Sequence, residues 1–220
     1  MRVSEGVRMV LAGLALMSAP SHGQTWQSDL EHAKELARAG QFDQSLALLD
    51  PIIAQAMLKD AKDPAAICPS MAAAFLQTFM KGKFTVSIEN DWCEAMLVKA
   101  YALNELKRSG EAEQVLKALV GHAPNDANYL VEYAYTVRVN GDLERSLELY
   151  QRAEKVASSL QPKQDAARWR AAALRGQGYC YTDMKRWDDA IKAYQRSLKY
   201  EPDNDIARRE LRYIEENRPR

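Results

Sequence analysis

The sequence predicts an all-α fold, a stack of helical hairpins, on three observations. Small residues recur at Ala100, Ala134 and Gly178. A second set follows 12 positions after each, at Ala112, Ser146 and Ala190. Prolines at Pro124 and Pro202 end second helices, because proline lacks an N–H and clashes with the preceding turn. The small residues mark where the first helix of a pair crosses the second most closely. Leu116, Tyr150 and Tyr194 are the bulky residues one turn further on, and Leu119, Ala153 and Ser197 come three after those. Turns between paired helices are expected at Gly110, Gly141 and Lys185-Arg186.

The last copy reads Ala171-Ala-Ala-Leu174-Arg-Gly-Gln-Gly178-Tyr-Cys-Tyr181, then Trp187-Asp-Asp-Ala190-Ile-Lys-Ala-Tyr194-Gln-Arg-Ser197-Leu-Lys-Tyr-Glu-Pro202. This pattern resembles the tetratricopeptide repeat (TPR). The resemblance covers Ala95 to Pro202 well and Trp26 to Gln55 weakly. The step from Ala100 to Ala134 is 34 residues, the usual period of that family. The resemblance implies a right-handed α-solenoid, in which one hairpin cannot bury its apolar face alone and neighbours complete the core. It also moves the expectation from catalysis towards protein or peptide binding, without naming a partner.

The elements follow in order. Residues 1–23 read as a signal peptide. Arg2 and Arg8 give a basic start, Met9 to Met17 is an apolar run too short to span a bilayer, and Ser21-His22-Gly23 offers small residues before a cut that leaves Gln24 first. The alternative is an uncleaved anchor. Residues 24–59 form a weak first repeat, with Ala33, Gly40, Phe42, Ser45, Leu49 and Ile52 at equivalent places and Pro51 expected to kink its second helix. Residues 60–92 fit no repeat register. This insert holds Cys68-Pro69, a helix-like Met71 to Met80 run and the alternating Phe84-Thr-Val86-Ser-Ile88. Residues 93–203 carry three repeats. The last step, Ala134 to Gly178, is 44 residues, and the ten extra between Ser158 and Arg170 predict two lengthened helices in a protruding hairpin. Residues 204–220 form a capping helix, with Ile206, Ala207, Leu211 and Ile214 on its apolar face and Arg208, Arg209, Glu215 and Glu216 on the other.

Composition narrows the function. Lys+Arg and Asp+Glu number 30 each, so bulk positive charge for nucleic-acid binding is missing. Among Cys68, Cys93 and Cys180, an exported protein can form one disulfide. Cys68–Cys93 is favoured, since Cys180 lies mid-helix between tyrosines, and such a bridge would contribute ~3 kcal/mol. Three buried thiols is the other reading. His32 and His122 have no partner at metal-ligand spacing, and no P-loop, G-x-S-x-G or H-E-x-x-H occurs. No catalytic residue, metal or cofactor is assigned, and Gly176-Gln-Gly178 reads as packing.

The resemblance places first helices on the concave side of the superhelix. The residue after each crossing residue then faces the groove: Tyr101, Tyr135 and Tyr179, with Lys34 in the weak repeat. Asn104, Arg138 and Thr182 lie three further on, and Leu97, Val131 and Arg175 four before the tyrosines. A surface of Tyr, Asn and Arg suits an extended peptide, whereas the competing reading has the tyrosines packing first helices together. The resemblance also offers a carboxylate clamp from Asn104, Arg138 and Arg175, although the regular Lys/Asn spacing of such clamps is missing. Arg168-Trp169-Arg170 with Arg175 reads as an edge patch or a solvated helix face. The expected function is a non-catalytic periplasmic adaptor or scaffold for a protein or peptide, in a setting such as envelope machinery assembly. A glycan- or peptidoglycan-fragment-binding subunit that uses the insert is the alternative.

Overall fold

The computed structural model describes residues 22–60, 91–160 and 162–219. Among these, nine helices and no strands are found: α1 His22–Arg38, α2 Phe42–Asp60, α3 Asp91–Glu105, α4 Ser109–His122, α5 Ala127–Val139, α6 Leu143–Ala157, α7 Lys163–Asp183, α8 Trp187–Leu198 and α9 Asp205–Asn217. Each packs on the next, and α1 also meets α3, as α5 meets α7. This nearest-neighbour arrangement is that of an all-α TPR-like solenoid. The signal-peptide reading lies outside the described residues except for His22 and Gly23, which begin α1. The insert also lies outside them, with its helix-like and strand-like runs and Cys68, except at its ends: Asp60 ends α2, and Asp91-Trp92 open α3.

The crossings sit where the small residues predict. Ala33, Ala100, Ala134, Ala112, Ser146 and Ala190 are all buried. Two serines tie their hairpins: Ser45 Oγ donates to the Ala33 carbonyl at 2.8 Å and Ser146 Oγ to that of Ala134 at 2.7 Å. Leu116, Leu119, Tyr150 and Tyr194 fill the core between them. Trp92 packs edge-on to His122 at 4.8 Å, closing the far end of the α3–α4 hairpin. Cys93 is buried and disulfide-bonded, whereas Cys180 is a buried free thiol. Burial pushes the Cys180 thiol above its usual range, and Ser146 Oγ lies 3.3 Å away. It belongs to the core.

Three sequence expectations are corrected. Gly110 lies inside the first turn of α4, not in the preceding turn. The turn position that needs a left-handed backbone is Gly40 (φ 75°), Lys107 (φ 61°), Gly141 (φ 92°) and Lys185 (φ 60°), one per repeat. The ten extra residues lengthen one helix rather than two. The α6 helix ends at Ala157, whereas α7 runs 21 residues from Lys163, preceded by Pro162 at its N-cap, whose fixed φ favours a helix N-terminus. On the cap, Ala207 and Ile214 are fully buried but Ile206 is 40% exposed, because α9 ends the stack and packs mainly on α8. The second helix of the weak repeat continues through Pro51, whose ring is exposed, so the N–H it lacks is lost on the solvent side.

Left-handed backbone costs an L residue about 1–2 kcal/mol that glycine avoids. Part of the gain is lost to the greater freedom of glycine in the unfolded chain. Lys107→Gly and Lys185→Gly are each expected to add about 0.5–1 kcal/mol, raising Tm by roughly 1–4 °C. A thermal melt in which either variant falls below the parent contradicts this strain.

Candidate functional site

One continuous groove runs along the first helices. Its N-terminal part, about 330 Å³, is walled by α1 and α3 and reaches Leu116 and Glu132. Its C-terminal part, about 540 Å³, is walled by α3, α5 and α7. The two parts share Tyr101, Asn104 and Glu132. Helical geometry puts these residues on one face: residues three and four apart are neighbours, so Val131, Tyr135 and Arg138 form one row on α5, as Arg175 and Tyr179 do on α7.

Six of the seven residues singled out in the sequence line the larger part: Tyr101, Asn104, Tyr135, Arg138, Arg175 and Tyr179. Thr182 does not. Its hydroxyl turns back onto its own helix and donates to the Gly178 carbonyl at 2.9 Å. Tyr101 and Tyr135 are 48% and 41% exposed, so they present surface rather than pack first helices together. Tyr101 is supported edge-on by Phe42 at 6.0 Å. Tyr179 is different, packing edge-on against buried Tyr194 at 5.8 Å beneath the Arg138 guanidinium, 5.0 Å from its ring. The aromatic row therefore has two open rings and one structural one.

The arginines are already engaged. Arg138 Nη1 pairs with Asp183 Oδ2 at 2.7 Å, and Arg175 Nη1 pairs with Glu201 Oε2. Lys34 is held between Glu31 (2.9 Å) and Glu94 (2.7 Å). A clamp for a partner's carboxylate would need these cations free, and both arginines of the suggested clamp have internal partners. The Arg168-Trp169-Arg170 group is likewise divided. Arg168 stacks over Trp169 at 4.9 Å, whereas Arg170 stacks over Tyr200 at 4.5 Å.

Two acceptors in the groove lack donors. Asn104 Nδ2 donates to Thr136 Oγ1 at 2.8 Å, which leaves its buried Oδ1 with no hydrogen-bond partner. Beside this pair on α5, the Glu132 carboxylate has no hydrogen bond or ion pair among the described residues. Burial alone pushes its pKa above the ordinary carboxylate value. Sequence reasoning passed over Glu132, although a signal existed. Its equivalents in the other two clear repeats are Val98 and Gly176, each two before the crossing residue, so an acid stands where these repeats have an apolar or small residue, while the weak repeat has Glu31 at this place.

The sign of its contribution to stability follows from linkage. The folded chain holds a proton on Glu132 more tightly than the unfolded chain does. The penalty is therefore absent below the ordinary carboxylate pKa and grows as pH rises through the raised folded value. Glu132→Gln is expected to raise Tm at pH 7 and leave it unchanged near pH 3. Equal melts at both pH values would mean that the carboxylate is not desolvated.

Among the described residues, no group of three His, Cys, Asp or Glu could hold a metal ion, and no helix is long and apolar enough to cross a membrane.

Residues 171–204, the closing hairpin and its proline loop, match the tetratricopeptide repeat family model. Solved structures share the fold over most of the chain. A double mutant of MamA RS-1 is 14% identical, with 89% of this chain and 85% of that chain covered at a TM-score of 0.55. A Podosopora anserina putative kinesin light chain with nearly identical TPR-like repeats is 14% identical, with 88% and 96% covered at 0.54. BtubC from P. vanneervenii is 13% identical, with 87% and 81% covered at 0.52. At these identities the likeness concerns the fold alone. No curated protein matches the sequence.

Proposed function

We propose that this chain is a non-catalytic adaptor that holds an extended protein or peptide segment in the groove of α1, α3, α5 and α7. The observation that carries this reading is that Tyr101 and Tyr135, from successive repeats, stand open on one wall of a continuous cavity. Tyrosine at such positions offers large contact area and a hydroxyl with few rotors to freeze. The cavity has the elongated, multi-helix form of a site for extended chain rather than for a compact metabolite. The basic, then apolar, then small-residue pattern of residues 1–23 supports export, and we place the adaptor in the periplasm, in the assembly of an envelope machine.

A photo-crosslinking residue at Tyr135 in the full-length chain, expressed in its own cell, tests the adaptor role. A discrete protein adduct is expected, and it should be lost when Tyr101 is also changed to Ala. If the only adducts are glycan, or if there are none, the adaptor reading fails. N-terminal sequencing tests the compartment, since an exported mature chain begins at Gln24 and retention of Met1 in the cytosol contradicts export.

A further inference from the structure

We infer that the groove selects a basic side chain, a lysine or arginine of the bound segment, and seats it against Glu132 between Tyr101 and Tyr135. This rests on the groove being a peptide site and adds the chemistry of what it prefers.

The charges on the groove walls decide the sign. Lys34, Arg138 and Arg175 are neutralised within the fold by Glu31 and Glu94, Asp183, and Glu201 respectively. Arg38 on α1 and Glu105 on α3 are exposed at the rim. Glu132 is the half-buried charge of the groove that the described residues leave uncompensated, and it lines both parts of the cavity. A desolvated carboxylate without a cation is costly to hold, and a fold keeps one at a stability cost where function uses it. A second orphan has the same polarity, since Asn104 Oδ1 can only accept, whereas a third, the buried Arg138 Nε of the larger part, is a donor. An ammonium or guanidinium supplies several donors and a positive charge at once, satisfying both acceptors. Tyr101 and Tyr135, the exposed aromatic rings of the same walls, can stack on a cation or its aliphatic stem. An acidic side chain would face the Glu132 carboxylate, and the groove cation without an ion pair among the described residues is Arg38, at the rim of the N-terminal part. The groove is therefore complementary to a cation, opposite in sign to a carboxylate clamp.

The test uses the full chain and four probes: capped heptapeptides of alanine with a central lysine, norleucine or glutamate, and chitotetraose. Binding is read by titration calorimetry and by backbone NMR shifts at Gly176 and Ala172, which line the groove without contributing charge. The lysine peptide is expected to bind at least tenfold tighter than the norleucine and glutamate peptides. Glu132→Gln should bring it to within about twofold of norleucine, while Glu105→Gln, at the exposed rim, leaves the preference in place. Equal binding of all three peptides in the groove, or a preference for glutamate, overturns the cation inference and leaves the peptide-groove reading intact. Groove shifts from chitotetraose with none from any peptide overturn both. Thermal melts of the Glu132→Gln protein separate loss of the site from loss of the fold.

Discussion

Gly178→Leu is expected to lower stability by about 3 kcal/mol or more and to release the C-terminal end of the stack first. A Cβ at Gly178 would stand 2.6 Å from the Tyr194 ring, well inside van der Waals contact. That ring is fully buried and already edge-packed by Tyr179, so it cannot swing aside without moving α8. Overpacking a filled core costs about 1–3 kcal/mol, occasionally more, and leucine brings three further carbons. The gain of about 1 kcal/mol from removing a mid-helix glycine offsets only part of this. Gly176→Ala meets the same obstacle in the other direction, with its Cβ 2.1 Å from the buried Tyr150 ring of the preceding hairpin. The two glycines of α7 thus admit one ring from each side. Gly121, on α4 with no atom within 4 Å of an added Cβ, is the control, and Gly121→Ala should hold or gain about 1 kcal/mol. At roughly 2–4 °C per kcal/mol, Gly178→Leu should melt ~6–12 °C below the parent. Because each hairpin contacts mainly its neighbours, hydrogen exchange should rise in α7–α9 before α3–α5. A Gly178→Leu protein that melts with the parent contradicts the close crossing.

The double variant Tyr101→Ala, Tyr135→Ala is expected to lose binding of its partner by 100-fold or more while folding normally. Exposed aromatic anchors in a concave site commonly account for about 2 kcal/mol each when truncated. Both rings are more than two-fifths exposed, so removing them leaves no buried cavity and should change Tm by less than about 2 °C. Tyr179→Ala gives the contrast. That ring supports Tyr194 and carries Arg138, so its loss should lower stability along with binding. A selective loss of binding in the first variant and a joint loss in the second would separate the open rings from the structural one. If the double variant instead unfolds, the tyrosines are packing residues.

Most of the solenoid was legible because its information is periodic. A crossing residue must be small wherever two helix axes approach closely, so Ala100, Ala134 and Gly178 announce themselves by spacing alone. The same register brought six of the seven candidate residues to one cavity. Register failed where the answer depended on what a side chain meets. Thr182 shares the spacing of Asn104 and Arg138, yet its hydroxyl finds a carbonyl of its own helix before it reaches the groove. Gly110 looked like a turn residue because glycine usually fills such places, whereas the left-handed position of that repeat fell on Lys107; the turns expected at Gly141 and Lys185 do hold one.

The sequence by itself determined the helical hairpins, their order and a helix start at Pro162, because these follow from local spacing, proline stops and helical periodicity, while the side of the stack that carries the groove came from the resemblance. Only the tertiary structure decided which charges in that groove are spent. Asp183 and Glu201 lie 45 and 26 residues from the arginines they neutralise, a pairing that no local pattern encodes. Glu132 is left without such a partner in a desolvated place, and its charge, more than the arginines prominent in the sequence, sets what the groove can hold.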